Sequence, residues 1–177
     1  MFTSKQVGVG KGRTTFRLFS FLLSLAVIWV LAALPVSTVL VIRDTESNRI
    51  IWSGPVRDGS PFAIRWTHSI HRSPVIEYYR VQNKQLRLYA MQFEDYGIGM
   101  SSELAPGEKL VSRDGAFLIE NMNRLFPAIR LFIGQVRANH TLLFEGNEIP
   151  LASVNTPGKA VLIQAETHSI LQMIGGY

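Results

Sequence analysis

The residues most capable of chemistry lie between Arg65 and Arg80, a stretch with two histidines, two serines, a glutamate and several aromatic side chains. If residues 69–74 connect two strands, His68 comes close to Glu77, and a carboxylate beside an imidazole can act as a base with its orienting group. His140 would complete the set in a periplasmic hydrolase or a metal-dependent enzyme. Ser69 is a poor nucleophile candidate because no Gly-x-Ser-x-Gly elbow surrounds it. We favour a structural interpretation, in which His68 bonds a backbone group or Glu77 and fixes the hairpin.

A metal site is a second interpretation of the histidines. His68 and His71 are three residues apart, a spacing that sends side chains to opposite faces of a strand. His140 and His168 are further ligand candidates, with Glu77 or Asp95 as oxygen donors, but there is no helical His-Glu-x-x-His. The sequence therefore predicts neither a metal nor a cofactor.

Two glycines one residue apart follow a predicted strand. Gly97 and Gly99, beside Tyr96, would let the backbone turn with its amides exposed, as in an anion-binding nest. A small-anion binding domain is therefore an alternative function. We favour a loop that closes a β layer, because the pattern lacks the third glycine and the helix of a dinucleotide site.

Aromatic residues in the same region suggest a protein contact. Tyr78 and Tyr79 are successive, so in a strand one of them must face solvent or a groove, and exposed tyrosines suit interfaces. The predicted binding or partner surface comprises Trp66, His68, Ser69, Glu77, Tyr79, Tyr96, Gly97 and Gly99.

The elements that position these residues are predicted to be strands. After Pro35 the apolar residues alternate with period two, as in Phe62, Ile64 and Trp66, and turn residues such as Asn83-Lys84 and Glu145-Gly-Asn147 separate the runs. This predicts an all-β fold, a sandwich or small barrel of about nine or ten mostly antiparallel strands. Residues 119–126 are predicted to form one short helix that ends before Pro127.

A basic leader and an apolar run precede the β domain. Lys5, Lys11, Arg13 and Arg17 come before any acidic residue, and no charge occurs from Leu18 to Ile42. Because Pro35 breaks the run and residues 37–43 are β-branched, the helix is placed at 15–34 and the first strand at 37–43. The predicted organisation is a basic cytoplasmic tail (1–14), a membrane segment (15–34) and an extracytoplasmic β domain (35–177).

The membrane segment has two interpretations that both place the β domain outside the cytoplasm. An uncleaved anchor, inserted in the lipid bilayer of the cytoplasmic membrane with its N-terminus inside, is favoured. A signal peptide is the alternative, because Ala32 preceded by Val30 is a fair cleavage site, and the domain would then be released to the periplasm.

Charge and composition exclude other classes. The net charge is +5, but residues 35–177 carry 14 basic and 13 acidic residues, so no nucleic-acid footprint remains outside the leader. Cysteine is absent, which excludes disulfides and thiolate chemistry.

Several of these segments together resemble the family catalogued as domain of unknown function 1850. The resemblance rests on Trp66-Thr-His-Ser-Ile, Pro74, Glu77-Tyr-Tyr, Tyr96-Gly-Ile-Gly-Met, His140-Thr-Leu-Leu-Phe and Ile149-Pro-Leu. It runs from about Val39 to Leu151 and leaves the tail 156–177 unmatched. It implies a small exported or membrane-anchored bacterial protein associated with a TRAP transporter of the TAXI type, whose membrane subunit or solute-binding protein would be the partner. With no catalytic set, we expect a non-enzymatic accessory protein.

Overall fold

The computed structural model describes residues 11–94, 104–113, 115–135 and 138–174. Within these ranges an N-terminal helix is followed by twelve strands and two short helices. The elements are α1 (Lys11–Ala33), β1 (Pro35–Asp44), β2 (Ile50–Val56), β3 (Pro61–Thr67), β4 (Pro74–Gln82), β5 (Gln85–Phe93), β6 (Lys109–Arg113), β7 (Ala116–Glu120), β8 (Arg124–Phe126), β9 (Ile129–Phe132), β10 (Thr141–Phe144), β11 (Asn147–Pro150), α2 (Leu151–Val154), β12 (Ala160–Ser169) and α3 (Ile170–Ile174).

Helix α1 is apolar and stands apart from the β domain. Its segment Phe16–Ala33 has a mean hydropathy of 2.1, and none of that segment is buried against the rest of the described chain. Its length and composition suffice to cross a membrane, and a signal sequence would have the same properties. The helix ends just before Pro35, because the residue before a proline is disfavoured in helical conformation. Only Leu34 separates α1 from β1.

The twelve described strands form two open antiparallel sheets. The smaller sheet has the order β2-β1-β12-β9, and the larger has the order β11-β10-β3-β4-β5-β7-β6, with β8 also paired to β5. Strand β1 is central to the smaller sheet. It pairs with β12 from Pro35–Ser169 to Asp44–Val161 and with β2 on its other side. Residues 156–177, which the family resemblance does not cover, therefore include β12, a central strand of the smaller sheet.

The core lies between the two sheets. Leu40, Ile42 and Ile163 of the smaller sheet belong to one buried cluster with Ile64, Leu142 and other residues of the larger sheet. Trp52 and Phe144 meet edge to face with ring centroids 5.2 Å apart. Alternating inward-facing side chains from two packed sheets define a sandwich, so the prediction of an all-β sandwich is confirmed, with twelve described strands in place of nine or ten.

The turns are as predicted, whereas one predicted helix is wrong. Asn83 with Lys84, and Glu145 with Gly146, have positive φ at both positions, as two-residue hairpin turns require. Residues 119–126 form no helix and instead contribute to β7 and β8. Ile119 is buried opposite Met91 of β5, and Asn121, with φ of 60°, lies in the break between β7 and β8, which run in the same direction along β5. Pairing with β5 therefore outweighed the local helical pattern.

Candidate functional site

The β3–β4 hairpin sets the position of most predicted site residues. Its ladder ends at Thr67–Pro74, and Glu77 lies opposite Ile64. His68 therefore falls beyond the paired region, in the turn. The predicted pair of His68 and Glu77 does not form, because Glu77 is four positions into the ladder and points into the space between the sheets with Ile64.

His68 is held by its own turn. Its backbone N–H donates to the Ser73 carbonyl at 2.9 Å, its carbonyl accepts from the Arg72 N–H at 2.9 Å, and its Nδ1 accepts from the His71 N–H at 3.3 Å. The imidazole is buried, at 7% exposure, and its centroid lies 4.9 Å from that of the His71 ring, with the two rings tilted by 34°. Ser69 is exposed in the same turn. These contacts make His68 an organiser of the hairpin connection.

Glu77 is the centre of a second cluster, the Glu77 cleft. Tyr79 Oη donates to Glu77 Oε2 at 2.8 Å, and the Trp66 indole also bonds this carboxylate. The cleft has a volume of about 340 Å³ and lies where β9, at the edge of the smaller sheet, faces the larger sheet. Its lining residues are Ile64, Trp66, Glu77, Tyr79, Ile129, Arg130, Leu131 and His140.

Burial sets the protonation chemistry of this cleft. Burial raises the pKa of Glu77, and the hydrogen bonds from Tyr79 and Trp66 only partly oppose that effect. The pKa of Tyr79 is also raised, first by burial and then by the charge of Glu77. Burial lowers the pKa of His140. The cleft thus favours a neutral imidazole and a carboxyl group that readily takes up a proton.

His140 enters the cleft from the residue before β10. Its Nδ1 is buried without a hydrogen-bond partner in the described part of the chain, and its ring lies 6.5 Å from the Trp66 ring. Its carbonyl accepts a hydrogen bond from the Leu151 N–H at 2.8 Å, which fixes its backbone. Of the three residues predicted for an enzyme, the structure brings Glu77 and His140 into one cleft and places His68 outside its lining.

The remaining predicted residues are dispersed. Tyr79 is buried at 4% exposure, so it reaches the surface only through the cleft, whereas Tyr78 lies on the outer face and bonds Gln92 at 2.9 Å. Tyr96, Gly97, Gly99 and the candidate ligand Asp95 lie outside the described residues. In the described ranges, no three His, Asp or Glu side chains are grouped closely enough to hold a metal ion.

The smaller sheet carries a charged network that the sequence did not indicate. Arg43 of β1 makes two bonds to Glu166 of β12, at 2.6 and 2.7 Å, and His168 Nε2 lies 2.9 Å from the same carboxylate. The pKa of Glu166 is lowered to about 2, chiefly by the Arg43 bonds and further by His168 and Gln164. No local pattern could reveal the ion pair at its centre, because Arg43 and Glu166 are 123 residues apart.

The fold and the site together define a class: a β-sandwich domain with an interior-facing carboxylate cleft, carried behind an apolar N-terminal helix. Residues 62–151, just over half of the chain, match the family described as Domain of unknown function (DUF1850), and the chain belongs to that family. The match covers the strands of the larger sheet, while β1, β2 and β12 lie outside it. No curated protein and no solved structure matches the chain.

Proposed function

We propose that this protein is a non-enzymatic accessory subunit, anchored in the cytoplasmic membrane by α1, that works with a TRAP-type solute transporter of the TAXI type. The observation that carries the proposal is the junction of helix and domain. Only Leu34 separates α1 from β1, and Pro35 is already paired with Ser169 of β12. A domain so tightly joined to a membrane helix is held at the bilayer surface, where a membrane-embedded partner is also found.

The orientation follows from charge. All four charged residues of the leader are basic, and flanks rich in Lys and Arg stay on the cytoplasmic side. The β domain then lies outside the cytoplasm, on the side where a solute-binding protein would deliver its ligand.

The turn after β3 is the proposed partner contact. Ser69 and Ile70 are exposed beside the buried His68, and Ile70 presents 59% of its surface to solvent. An exposed aliphatic side chain on a turn fixed by backbone hydrogen bonds suits a protein contact, because little conformational entropy is lost on binding. The mouth of the Glu77 cleft, with Trp66 and Tyr79, belongs to the same proposed surface.

Photo-crosslinking in native membranes tests this proposal. A photoreactive residue replacing Ile70 should form an adduct with the transporter membrane subunit or its solute-binding protein. Leu125 of β8, also an exposed aliphatic residue, is the matched control. Equal adducts from both positions, or no transporter adduct from Ile70, would contradict the proposal.

A linker insertion tests the junction itself. A flexible Gly/Ser linker of about 12 residues between Leu34 and Pro35 would allow the domain to move about 20 Å from the anchor. The Ile70 adduct should then weaken strongly while the domain stays folded. Retention of the full adduct would show that the short junction is irrelevant to the contact.

A hydrolase using Glu77 and His140 is the second candidate, and one observation favours it. The two groups share a cleft, and burial shifts the pKa of Glu77 upward and that of His140 downward. Such a pair can supply a general acid and a general base near neutral pH. The purified chain should then hydrolyse a member of an ester, amide and phosphoester panel, and Glu77→Gln should abolish the activity. A panel without turnover removes this candidate and leaves the accessory proposal intact.

A further inference from the structure

A second cleft lies on the outer face of the larger sheet, away from the Glu77 cleft. Strand β5 bulges at Tyr89, since the register of β4 with β5 shifts between Tyr78–Ala90 and Tyr79–Leu88. Beside this bulge the neighbour of β5 changes from β7 to β8. The gap left between the two short strands forms a cleft of about 370 Å³. Bulges that break a ladder often lie next to functional sites.

Two arginines face each other in this cleft. Arg80 and Arg87 are direct cross-strand partners and both line the cleft. Like charges placed directly opposite in a sheet destabilise it. The Arg80 guanidinium lies 4.7 Å from the centre of the Tyr89 ring, which orients it. The chain therefore holds two cations side by side at a cost to its own stability.

Neither arginine has an acidic partner in the described ranges. Nε of Arg87 is buried and has no hydrogen-bond acceptor there. A buried donor without an acceptor carries its full desolvation cost. Glu120 is the one carboxylate among the described lining residues, and it forms no ion pair with either guanidinium. An acceptor from outside the chain would relieve both the repulsion and the unsatisfied N–H.

We propose that Arg80 and Arg87 form a binding site for a small anion, a carboxylate or a phosphate, whose oxygens bridge the two guanidinium groups. Guanidinium forks match the paired oxygens of these anions and bind them by parallel hydrogen bonds. Glu120, the last residue of β7, and Asn121, which follows it, both line the cleft, and their side-chain oxygens can accept hydrogen bonds from a hydroxyl or amino group of the ligand. The site therefore favours a singly charged anion, either a small hydroxy- or amino-carboxylate or the monoanion of phosphate, over a dianion, because Glu120 repels a second negative charge.

Arginine side-chain NMR on the full chain in detergent micelles tests this site directly. Inorganic phosphate, lactate, acetate and succinate are titrated separately at constant ionic strength. At least one of phosphate and lactate should shift the Nε–H signals of Arg87 and Arg80 saturably, and the tighter of the two identifies the anion class. Lactate should bind more tightly than acetate or succinate. Absence of a saturable shift for both phosphate and lactate would overturn the proposal.

Matched variants separate this site from general charge effects. Arg87→Gln and Arg80→Gln should each weaken binding by about tenfold or more. Arg49→Gln removes the same charge from an exposed position in the β1–β2 connection and should leave binding unchanged. Equal weakening in all three variants would mean attraction by net charge alone and would refute a built site.

Stability without anion distinguishes a binding role from a structural one. Because Arg87 faces a like charge and has a buried unsatisfied N–H, Arg87→Gln should melt at or above the temperature of the wild type in anion-poor buffer. Added anion should raise the melting temperature of the wild type but not of this variant. A lower melting temperature for Arg87→Gln without anion would assign Arg87 a structural role and contradict the proposal. The result is independent of the transporter contact, which involves the turn between β3 and β4 and the Glu77 cleft on the inner face of the larger sheet.

Discussion

Glu77 is an acidic side chain placed on the inward face of a sheet, where most neighbours are apolar. It lies on the same face of β4 as the core residues Val75 and Tyr79, and it is partly desolvated there. A carboxylate in that position costs stability when charged, and Tyr79 and Trp66 recover only part of the cost. Residues kept at such a cost are good candidates for function.

The pH dependence of stability should reveal this cost. Because the folded pKa of Glu77 lies above its ordinary value of 4.5, the folded state holds the proton more tightly than the unfolded state. The contribution of Glu77 to the free energy of unfolding is therefore greatest below pH 4.5, and it is lost as the pH rises through the folded pKa. The melting temperature of the wild type should fall relative to that of Glu77→Gln across this window.

The control for this measurement is Glu94→Gln, an exposed carboxylate at the end of β5. Comparison with this variant removes the general effect of losing one negative charge from the surface. A constant offset between Glu77→Gln and the wild type, without any pH-dependent part, would mean that Glu77 is not desolvated in the folded protein.

Glu166 has the opposite pH behaviour. Its pKa is lowered to about 2, so its contribution to the stability of the folded state is fully present above pH 4.5 and is lost as the pH falls towards 2. Glu166→Gln should destabilise the domain by about 1–2 kcal/mol near neutral pH, after allowance for the solvent-facing side of the pair. Denaturant unfolding measures the difference.

Replacing both Arg43 and Glu166 by leucine should lower the free energy of unfolding less than Glu166→Gln alone, since the double replacement leaves no unpaired Arg43 charge.

At the scale of elements, the β4–β5 hairpin depends on a two-residue turn. Asn83 and Lys84 have φ of 50° and 60°, and lysine has a Cβ that disfavours this conformation. Lys84→Gly should therefore raise the free energy of unfolding by about 1 kcal/mol. Lys84→Ala removes the same long side chain but keeps the Cβ, and it should give no gain. If both variants stabilise equally, the lysine side chain and not the backbone is responsible.

Elements were predictable where their signals are local. Alternation located β3, β4, β5 and β10, and turn residues located the hairpins that join them. The formation of β7 and β8 in place of the helix predicted for residues 119–126 could not be predicted, because it depends on the contact of Ile119 with β5, a neighbouring strand that is distant in sequence.

The Glu77 cleft could be predicted only in part. Alternation places Trp66 and Glu77 each on one face of its strand, but it does not say that this face is the interior.

At the scale of the whole molecule, the apolar sequence of α1 continues through Leu34 into β1, the first strand of the domain. Leu40 and Ile42 of β1 are fully buried in the core, although they continue the apolar run that begins in α1. A chain of residues 34–177 should fold and melt cooperatively, since it keeps β1 intact. A chain of residues 43–177 should not fold, because it lacks a central strand of the smaller sheet.

Circular dichroism and thermal melting compare the two truncated chains. The expected result is a cooperative transition for residues 34–177 and none for residues 43–177. A cooperative transition at a similar temperature in both chains would contradict the placement of β1 in the core. The same pairing explains why residues beyond the family match are needed, since β1 and β12 complete the sandwich that the larger sheet begins.

The pairing of β1 with β12 also orders the events of biosynthesis. The chain is made from its N-terminus, so β1 emerges early and its partner, residues 160–169, emerges after all the other described strands. The smaller sheet cannot close until the chain has been made through residue 169, and such non-local pairing is slow. Until then β1 presents an unpaired edge that can join other strands. A product that stops before Ala160 would keep that edge permanently, so early termination should yield aggregates or substrates for proteases, never a shortened working domain.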